Sequence, residues 1–352
     1  MKQPTLGVVI GRFQPPTKAH IDIISRALGE NDDAIVVVGS TNVAPSTRNP
    51  FTYKERLRMI YDAIDASNLE VHPLPDSMYD FNDWVRRLQA LVESQIKHRD
   101  VRVRLYGFEK DSSSFYLRYF PTWEFVAVPE YKTRGGARID ATAVRETIYS
   151  NAPDFDYLRE VLHRSVADKV TELLFEDADR LIELKKDFEF CRDYKKQWAA
   201  APYPPTFVTV DAIVYCRGHV LMIKRGRHPG KGLYALPGGF IGPDEYLLPA
   251  AIRELKEETR IDVSKEFLEY ALKSVKVFDN PWRDPRGRMI THAHYFYLDS
   301  MVKYGRNDGL PAVRASDDAA EAEWISLNRL DKLASKMYSD HLMIVKNVLG
   351  AK

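Results

Sequence analysis

Three carboxylates within five residues, Glu254, Glu257 and Glu258, suggest the chemistry of the C-terminal half of this 352-residue chain. On a helix at about 100° per residue they share one acidic stripe, while Leu248, Ala251, Ile252 and Leu255 share an adjacent apolar one. Like charges so placed repel at neutral pH. They become favourable when a hard divalent cation, Mg²⁺ or Mn²⁺, bridges them to a diphosphate. An acidic run alone is usually a solvated helix face. Here it follows Leu236-Pro-Gly-Gly239, Glu245 and Arg253 at fixed spacings, and Arg253 is suited to orienting a neighbouring Glu through an ion pair.

A second group of residues lies near the N-terminus, in Gly11-Arg-Phe-Gln-Pro-Pro-Thr-Lys-Ala-His20. Glycine permits a sharp turn after a strand, the prolines stiffen the loop, and Thr17 and His20 fall on one face of the next helix's first turn. A helix N-terminus carrying a hydroxyl and an imidazole favours phosphate. Ile139-Asp-Ala-Thr-Ala-Val-Arg145 begins another helix, where Thr142 and Arg145 can present a hydroxyl and a guanidinium to one oxygen cluster. Each segment by itself reads as an ordinary capped helix start.

The elements that must hold these residues follow from periodicity. Over residues 1–150, strand-like runs at 6–10, 34–39, 69–73, 101–106 and 124–128 alternate with helical patterns at 17–28, 53–66, 82–97 and 143–149. That alternation implies a doubly wound α/β domain with a parallel sheet and ligands at the carboxyl ends of its strands. Leu158, Leu162, Val166, Val170, Leu173 and Leu174 then recur at helical spacing, a charged stretch follows from Glu176 to Trp198, and Ala201-Pro-Tyr-Pro-Pro-Thr206 forms a stiff boundary. Beyond it the pattern is mixed. Strands are expected at 207–215 and 220–224 around the turn Arg217-Gly-His219, and at 267–278 and 289–298, with one strong helix at 247–259, giving an α+β domain.

Composition excludes several classes. With 51 Lys and Arg against 50 Asp and Glu, the chain has no bulk basicity for nucleic acid or a membrane surface, so any anion site must be built locally. No apolar run approaches the roughly 18 residues that span a bilayer, and the first residues lack a secretory pattern, so the expectation is cytoplasmic. Cys191 and Cys216 have no partner spacing and read as reduced, partly buried thiols.

The N-terminal loops resemble the GxFxPxHxGH and ISSTxxR signatures of the α/β nucleotidyltransferases. Ser46-Thr-Arg-Asn-Pro-Phe-Thr-Tyr-Lys-Glu-Arg56 and Gly107-Phe-Glu-Lys-Asp-Ser-Ser-Ser-Phe-Tyr-Leu-Arg-Tyr-Phe120 are similar to stretches of the nicotinamide mononucleotide (NMN) adenylyltransferases of archaea and bacteria. The resemblance implies ATP and NMN as substrates, NAD and pyrophosphate as products, and Mg²⁺. By matching position it implies phosphate contacts from Gly11, Arg12, Phe13, Thr17 and His20, and from Thr142 and Arg145; Arg48 is suited to neutralising phosphate, and Arg12 to the NMN phosphate. Trp84 either stacks on nicotinamide or belongs to the core. Thr17 stands where many relatives have His, Ala19 where they have Gly, and Asp140 and Ala141 where they have two serines; altered affinity is expected rather than lost activity, with Asp140 suited to an N-cap.

The segment from Gly239 through Glu245 to Arg253-Glu-Leu-Lys-Glu-Glu-Thr-Arg-Ile261 resembles the Nudix box GX5EX7REUXEEXGU, with Arg260 in place of the final Gly. A side chain there costs up to about 1–2 kcal/mol but removes no metal ligand. The resemblance implies an α/β/α sandwich and Mg²⁺, with Mn²⁺ an alternative, on Glu254, Glu257 and Glu258. Water would attack one phosphorus of a nucleoside diphosphate linked to another group. Phe278-Asp-Asn-Pro-Trp-Arg-Asp-Pro-Arg-Gly-Arg-Met289 resembles a segment of ADP-ribose pyrophosphatases, which nominates Arg283, Arg286, Arg288 and Gly239 for ADP-ribose and leaves the general base unassigned.

Together these imply a bifunctional NMN adenylyltransferase/Nudix hydrolase family: an adenylyltransferase domain at 1–180, a helical arm and linker at 181–205, and a Nudix domain at 206–352. Its partners would be ATP, NMN, NAD and ADP-ribose, without nucleic acid or membrane, and a homo-oligomer is compatible with it. The alternative is an adenylyltransferase for another phosphorylated acceptor, such as phosphopantetheine, fused to an ADP-ribose-sensing regulatory domain.

Overall fold

The computed structural model describes residues 3–96, 100–108, 119–133, 135–176, 178–299 and 309–350. The chain divides into two compact units, Met1–Lys185 and Lys186–Lys352.

In the first unit, strands β1 (Thr5–Gly11), β2 (Asp33–Val38), β3 (Leu69–Pro73), β4 (Arg102–Gly107) and β5 (Glu124–Ala127) form a sheet in the order β3-β2-β1-β4-β5. All neighbouring strands run parallel. Helices α1 (Lys18–Gly29), α2 (Tyr53–Ala63) and α3 (Phe81–Gln95) supply crossovers. Because strand side chains alternate, Val9, Val36 and Val38 pack with Ile24 and Ile60 in one cluster, while Val8, Ile35 and Val37 pack with Leu88 and Leu105 in another. Both sheet faces are therefore covered, as a parallel sheet requires. The strand order reverses at β1, and its carboxyl end opens the crevice where a doubly wound sheet binds ligands. Most of the segment 107–120, and residue 97 at the expected end of α3, lie outside the described residues.

Helix α4 (Ala141–Tyr149) starts at Asp140, whose carboxylate accepts a hydrogen bond from the Thr142 amide at 2.8 Å. The apolar repeat after residue 155 forms two helices, α5 (Phe155–Val161) and α6 (Arg164–Glu176). Lys18 Nζ donates to the carbonyls of Arg159 and Glu160, at 2.9 and 2.7 Å, and so closes α5 before α6 begins. Helix α7 (Ala178–Gln197) precedes the proline cluster, and its residues from Lys186 onward belong to the second unit.

In that unit β6 (Thr206–Cys216), β7 (His219–Arg225), β8 (Tyr234–Ala235), β9 (Gly238–Phe240), β10 (Leu272–Phe278), β11 (Arg288–Tyr297) and β12 (Ala319–Ser326) form a mixed sheet. Its order is β10-β11-β6-β7-β12, with β8 on β7 and β9 on β6. The β6–β11 pair is parallel and the other pairs are antiparallel. Arg217 and Gly218, both at positive φ (47° and 73°), make the two-residue turn between β6 and β7. Helix α8 (Leu247–Thr259) buries Ala250, Ala251, Ile252 and Leu255 against the sheet. Fully burying Ile252 or Leu255 contributes about 1.5–3 kcal/mol each.

The strand expected over 267–278 is half helix. Ser264 caps α9 (Lys265–Ala271), accepting from the Phe267 amide at 3.2 Å, and Leu268 and Ala271 point inward at helical spacing; only Leu272–Phe278 is strand. Strand β12, α10 (Leu327–Leu330), a 3₁₀ turn at Asp331–Lys336 and α11 (His341–Leu349) had no expectation attached. Cys191 and Cys216 are buried thiols, and burial pushes Cys191 up to about 12. Among the described residues no helix is long and apolar enough to cross a membrane.

Candidate active sites

At the carboxyl end of β1 the loop turns through Phe13, buried and at φ 52°, whose ring lies against Gly11; a Cβ on Gly11 would stand 2.9 Å from it. Thr17 caps α1. Its backbone N–H donates to His20 Nδ1 at 3.0 Å, and its hydroxyl lies 2.8 Å from the same nitrogen. An amide N–H can only donate, so Nδ1 is the acceptor and the neutral ring carries its proton on Nε2. His20 is thereby held as an Nε2–H donor at a helix N-terminus. Thr17 is buried with its hydroxyl against that ring.

Arginines converge on this loop. Arg145 is buried and donates to the Gln14 carbonyl at 2.9 Å and to Thr142 Oγ1 at 3.1 Å. Arg56, 1 % exposed, donates to the carbonyls of Arg12 and Gly39, each at 2.7 Å, and of Ser40 and Thr52, at 3.0 and 3.2 Å. Burial, and repulsion from Arg48 and Arg145, lower Arg12 to about 9; burial lowers Arg56 to about 10, and burial followed by Arg145 lowers Arg48. All remain cationic at neutral pH. Arg12 Nη1 is buried with no hydrogen-bond partner among the described residues. Asp76 partly offsets Arg12, Arg48 and Arg56, and is itself fixed by the Ser40 amide and hydroxyl at 3.1 and 2.7 Å. An orphaned guanidinium N–H among mutually repelling arginines fits a polyanion. Trp84 is half-buried, stacks with Phe81 at 5.8 Å and packs on the α3 side of the core.

In the second unit the acidic helix faces a cavity of about 380 Å³. Glu254, Glu257 and Glu258 line it together with Gly239, Arg225, Asp211, Arg283, Asp284, Arg286 and Asp317. The acidic stripe is graded. Glu258 is buried and accepts from the Gly238 amide at 2.9 Å, with burial raising it to about 8; Glu254 is raised by burial; Glu257 stands half-exposed. Arg253 bonds Glu245 at 2.9 Å through Nε and again through Nη2, and reaches Glu254 at 2.8 Å and Glu257 at 2.9 Å. That pairing, with the Gly242 amide, lowers Glu245 to about 2 and raises Arg253.

Among the described residues no three His, Cys, Asp or Glu side chains surround one point closely enough to hold an ion. Arg253 takes one oxygen each of Glu254 and Glu257. The donor set nevertheless fits a hard divalent cation, since two desolvated carboxylates, Glu254 and Glu258, are costly to ionise until a cation offsets them.

The cavity floor is a buried polar network. Arg283 bonds Asp340 at 2.9 and 3.1 Å and lies 3.7 Å from Asp211, which accepts from Thr291 at 2.6 Å. Its charge is therefore already balanced within the floor. Arg286 grips Asp284 at 2.9 and 2.8 Å and lies over the Phe240 ring at 5.3 Å. Arg288 turns to the Asp279 carbonyl and does not line the cavity.

A solved bifunctional NMN adenylyltransferase/ADP ribose pyrophosphatase from Francisella tularensis superposes on the whole chain, with TM-score 0.90, 34% identity and 99% of each chain covered. The chain belongs to this family. A second structure from the same organism, complexed with AMP and a Mn ion, matches with TM-score 0.89, 34% identity and 99% of each chain covered. Residues 205–347 match the NUDIX domain family and residues 8–77 the cytidylyltransferase-like family. The chain is 35% identical over 145 residues (40% of this chain, 74% of the relative) to a nicotinamide/nicotinic acid mononucleotide adenylyltransferase of Acinetobacter baylyi. It is 39% identical over 145 residues (41% of this chain, 74% of the relative) to an ADP-ribose pyrophosphatase of Methanocaldococcus jannaschii. Both component families use divalent metals.

In this bifunctional family member, Gly11, Arg12, Phe13, Thr17 and His20 come together with Thr142 and Arg145 of α4, as their motifs suggested, with Arg48 near Arg12 and Arg145. Glu254, Glu257, Glu258 and Gly239 share one cavity. Sequence reasoning missed Arg56, Asp76, Arg225, Asp211 and Asp284. Arg56 and Asp284 lie within the segments at 46–56 and 278–289 but were not singled out there, and Asp76, Arg225 and Asp211 come from segments without motif spacing; only the folded sheet brings them to their sites.

Proposed function

We propose that the N-terminal site transfers an adenylyl group from ATP to NMN, giving NAD and pyrophosphate, and that the C-terminal site hydrolyses ADP-ribose to AMP and ribose 5-phosphate with Mg²⁺. Residues 1–180 and 206–352 would be the two catalytic domains, joined by the arm and linker at 181–205. The observation that carries the first half is the unpartnered, buried Arg12 Nη1 within a cluster of arginines. NMN already carries an anionic nucleophile, so transfer needs two anions aligned and neutralised rather than a covalent intermediate. Arg12, Arg48 and Arg145 neutralise; His20 donates from Nε2 to a phosphate oxygen as charge moves to pyrophosphate; Arg56 holds the loop carbonyls.

In the second half a divalent ion, when bound to Glu254, Glu257 and Glu258, supplies charge stabilisation for diphosphate cleavage by water. Arg253 holds the helix carboxylates in register, Gly239 leaves room for Glu254, and Arg225 adds a positive wall. The complete acidic face favours hydrolysis over ADP-ribose sensing.

The test is one product assay on two variants. With ATP, Mg²⁺ and NMN, the wild type forms NAD, and with ADP-ribose it forms AMP. Glu257→Gln loses the second product while keeping the first, and His20→Ala does the reverse. Wild-type protein that forms no NAD from NMN, but adenylylates phosphopantetheine, would overturn the acceptor assignment.

A further inference from the structure

Arg48 and Arg145 belong to the same anion cradle and carry like charges, yet they sit on separate segments, a partly buried loop and helix α4. The loop is a closed turn. Ser46 and Asn49 exchange backbone hydrogen bonds at 3.1 and 3.0 Å, and the Asn49 amide also donates to Ser46 Oγ at 3.2 Å. Thr47 and Arg48 form its tip. Tyr149, four residues and one turn after Arg145 on α4 and only 2 % exposed, donates its hydroxyl to the Thr47 carbonyl at 2.9 Å. That carbonyl belongs to the same planar peptide as the Arg48 N–H, so fixing it fixes the direction in which the Arg48 side chain leaves the turn.

We infer that Tyr149 is a positioning residue that clamps the Arg48 turn to the helix bearing Arg145 and so holds two like-charged guanidinium groups in one cradle for a triphosphate. The bond joins segments that carry like charges, since Arg145 disfavours the cationic form of Arg48. This inference rests on the reading of the N-terminal site as a nucleoside triphosphate site. Tyr149 touches no phosphate in this scheme and acts on the cradle through the Arg48 turn.

Tyr149→Phe removes one hydroxyl from a buried ring and leaves its packing. In the full-length protein it raises the KM for ATP about fivefold, the worth of one hydrogen bond, with kcat within about twofold. It weakens inorganic tripolyphosphate binding, measured by calorimetry without divalent metal, by a similar factor. ADP-ribose hydrolysis is unchanged. In an Arg48→Ala background, Tyr149→Phe has no further effect on tripolyphosphate binding. Unchanged tripolyphosphate binding in Tyr149→Phe, or losses that multiply in the double variant, overturns the inference. A wild type that binds tripolyphosphate but makes no NAD overturns the assigned activity instead, and the binding comparison still decides the role of Tyr149. A wild type that binds no tripolyphosphate overturns both.

Discussion

The carboxylate of Glu254 lies directly over the bare Cα of Gly239: a Cβ built there would stand 2.6 Å from Oε1 and 2.7 Å from Oε2. The two residues are 15 apart in sequence, one on β9 and one on α8. The glycine is needed for the space it leaves, and that space belongs to an acidic group lining the cavity.

Gly239→Ala therefore leaves the fold intact, because the obstructing atoms are the end of a flexible side chain, but pushes Glu254 out of place. We expect ADP-ribose hydrolysis to fall by about 10-fold to 100-fold, as when a ligand-orienting group is lost, with NAD synthesis and the melting midpoint little changed. Wild-type hydrolysis in the alanine variant would contradict the steric role.

The ring of His20 predicts an asymmetry between two amides. Its Nδ1 accepts from the Thr17 amide, so the edge left for the proposed phosphate contact is Nε2. Glutamine reaches the Nε2 position and asparagine only the Nδ1 position. His20→Gln should retain on the order of tenfold more NAD synthesis than His20→Asn, the worth of one charge-assisted donor. Equal rates would show that Nε2 donates nothing.

Arg260 ends α8 at φ 41°, ψ 39°, the left-handed position its motif normally gives to glycine. Arg260→Gly relieves that conformation and should stabilise the C-terminal unit by about 0.5–1 kcal/mol, seen as a rise of about 1–4 °C in its melting midpoint. ADP-ribose turnover should not change, because Arg260 does not line the cavity. A lower midpoint would sink this account.

His341 is buried in the cavity floor, where its Nδ1 accepts from the Leu236 amide at 2.9 Å, and burial lowers it from its ordinary value; burial also lowers His294. The unfolded chain binds a proton near pH 6.5 that the folded unit refuses. Stability is therefore complete above that pH and declines as pH falls below it, by at most about 1.4 kcal/mol per pH unit for each histidine. Urea unfolding of the C-terminal transition at pH 5.0, 6.0 and 7.5 measures this. His341→Asn keeps an acceptor for Leu236 without the titration and should flatten part of the decline; parallel curves for the two proteins would exclude His341 as its source.

Much of the fold was legible in the sequence. The β1, β2 and β3 runs and helix α8 are strongly periodic and bounded by clear breakers, so they were placed within a residue or two. The stretch before Phe278 failed because Leu268 and Ala271 sit in a run whose apolar residues suit either period. The cap at Ser264 decides for helix. The break between α5 and α6 was not legible, because it depends on Lys18, more than 140 residues away, capping the α5 carbonyls.

The sequence by itself determined which groups are available for the two chemistries, since they lie at short fixed spacings along single loops and helices: His20 three residues after Thr17, and Glu254, Glu257 and Glu258 on one helical stripe. Tertiary structure alone decided what each group can do there. It turned His20 into an Nε2 donor, sank Glu258 while leaving Glu257 half-exposed, balanced Arg283 with Asp340, and turned Arg288 away from the cavity. The reason is that residue type and local spacing set which groups are available. Burial, charge balance and hydrogen-bond direction depend on partners from distant segments that only the folded sheet brings within about 3 Å.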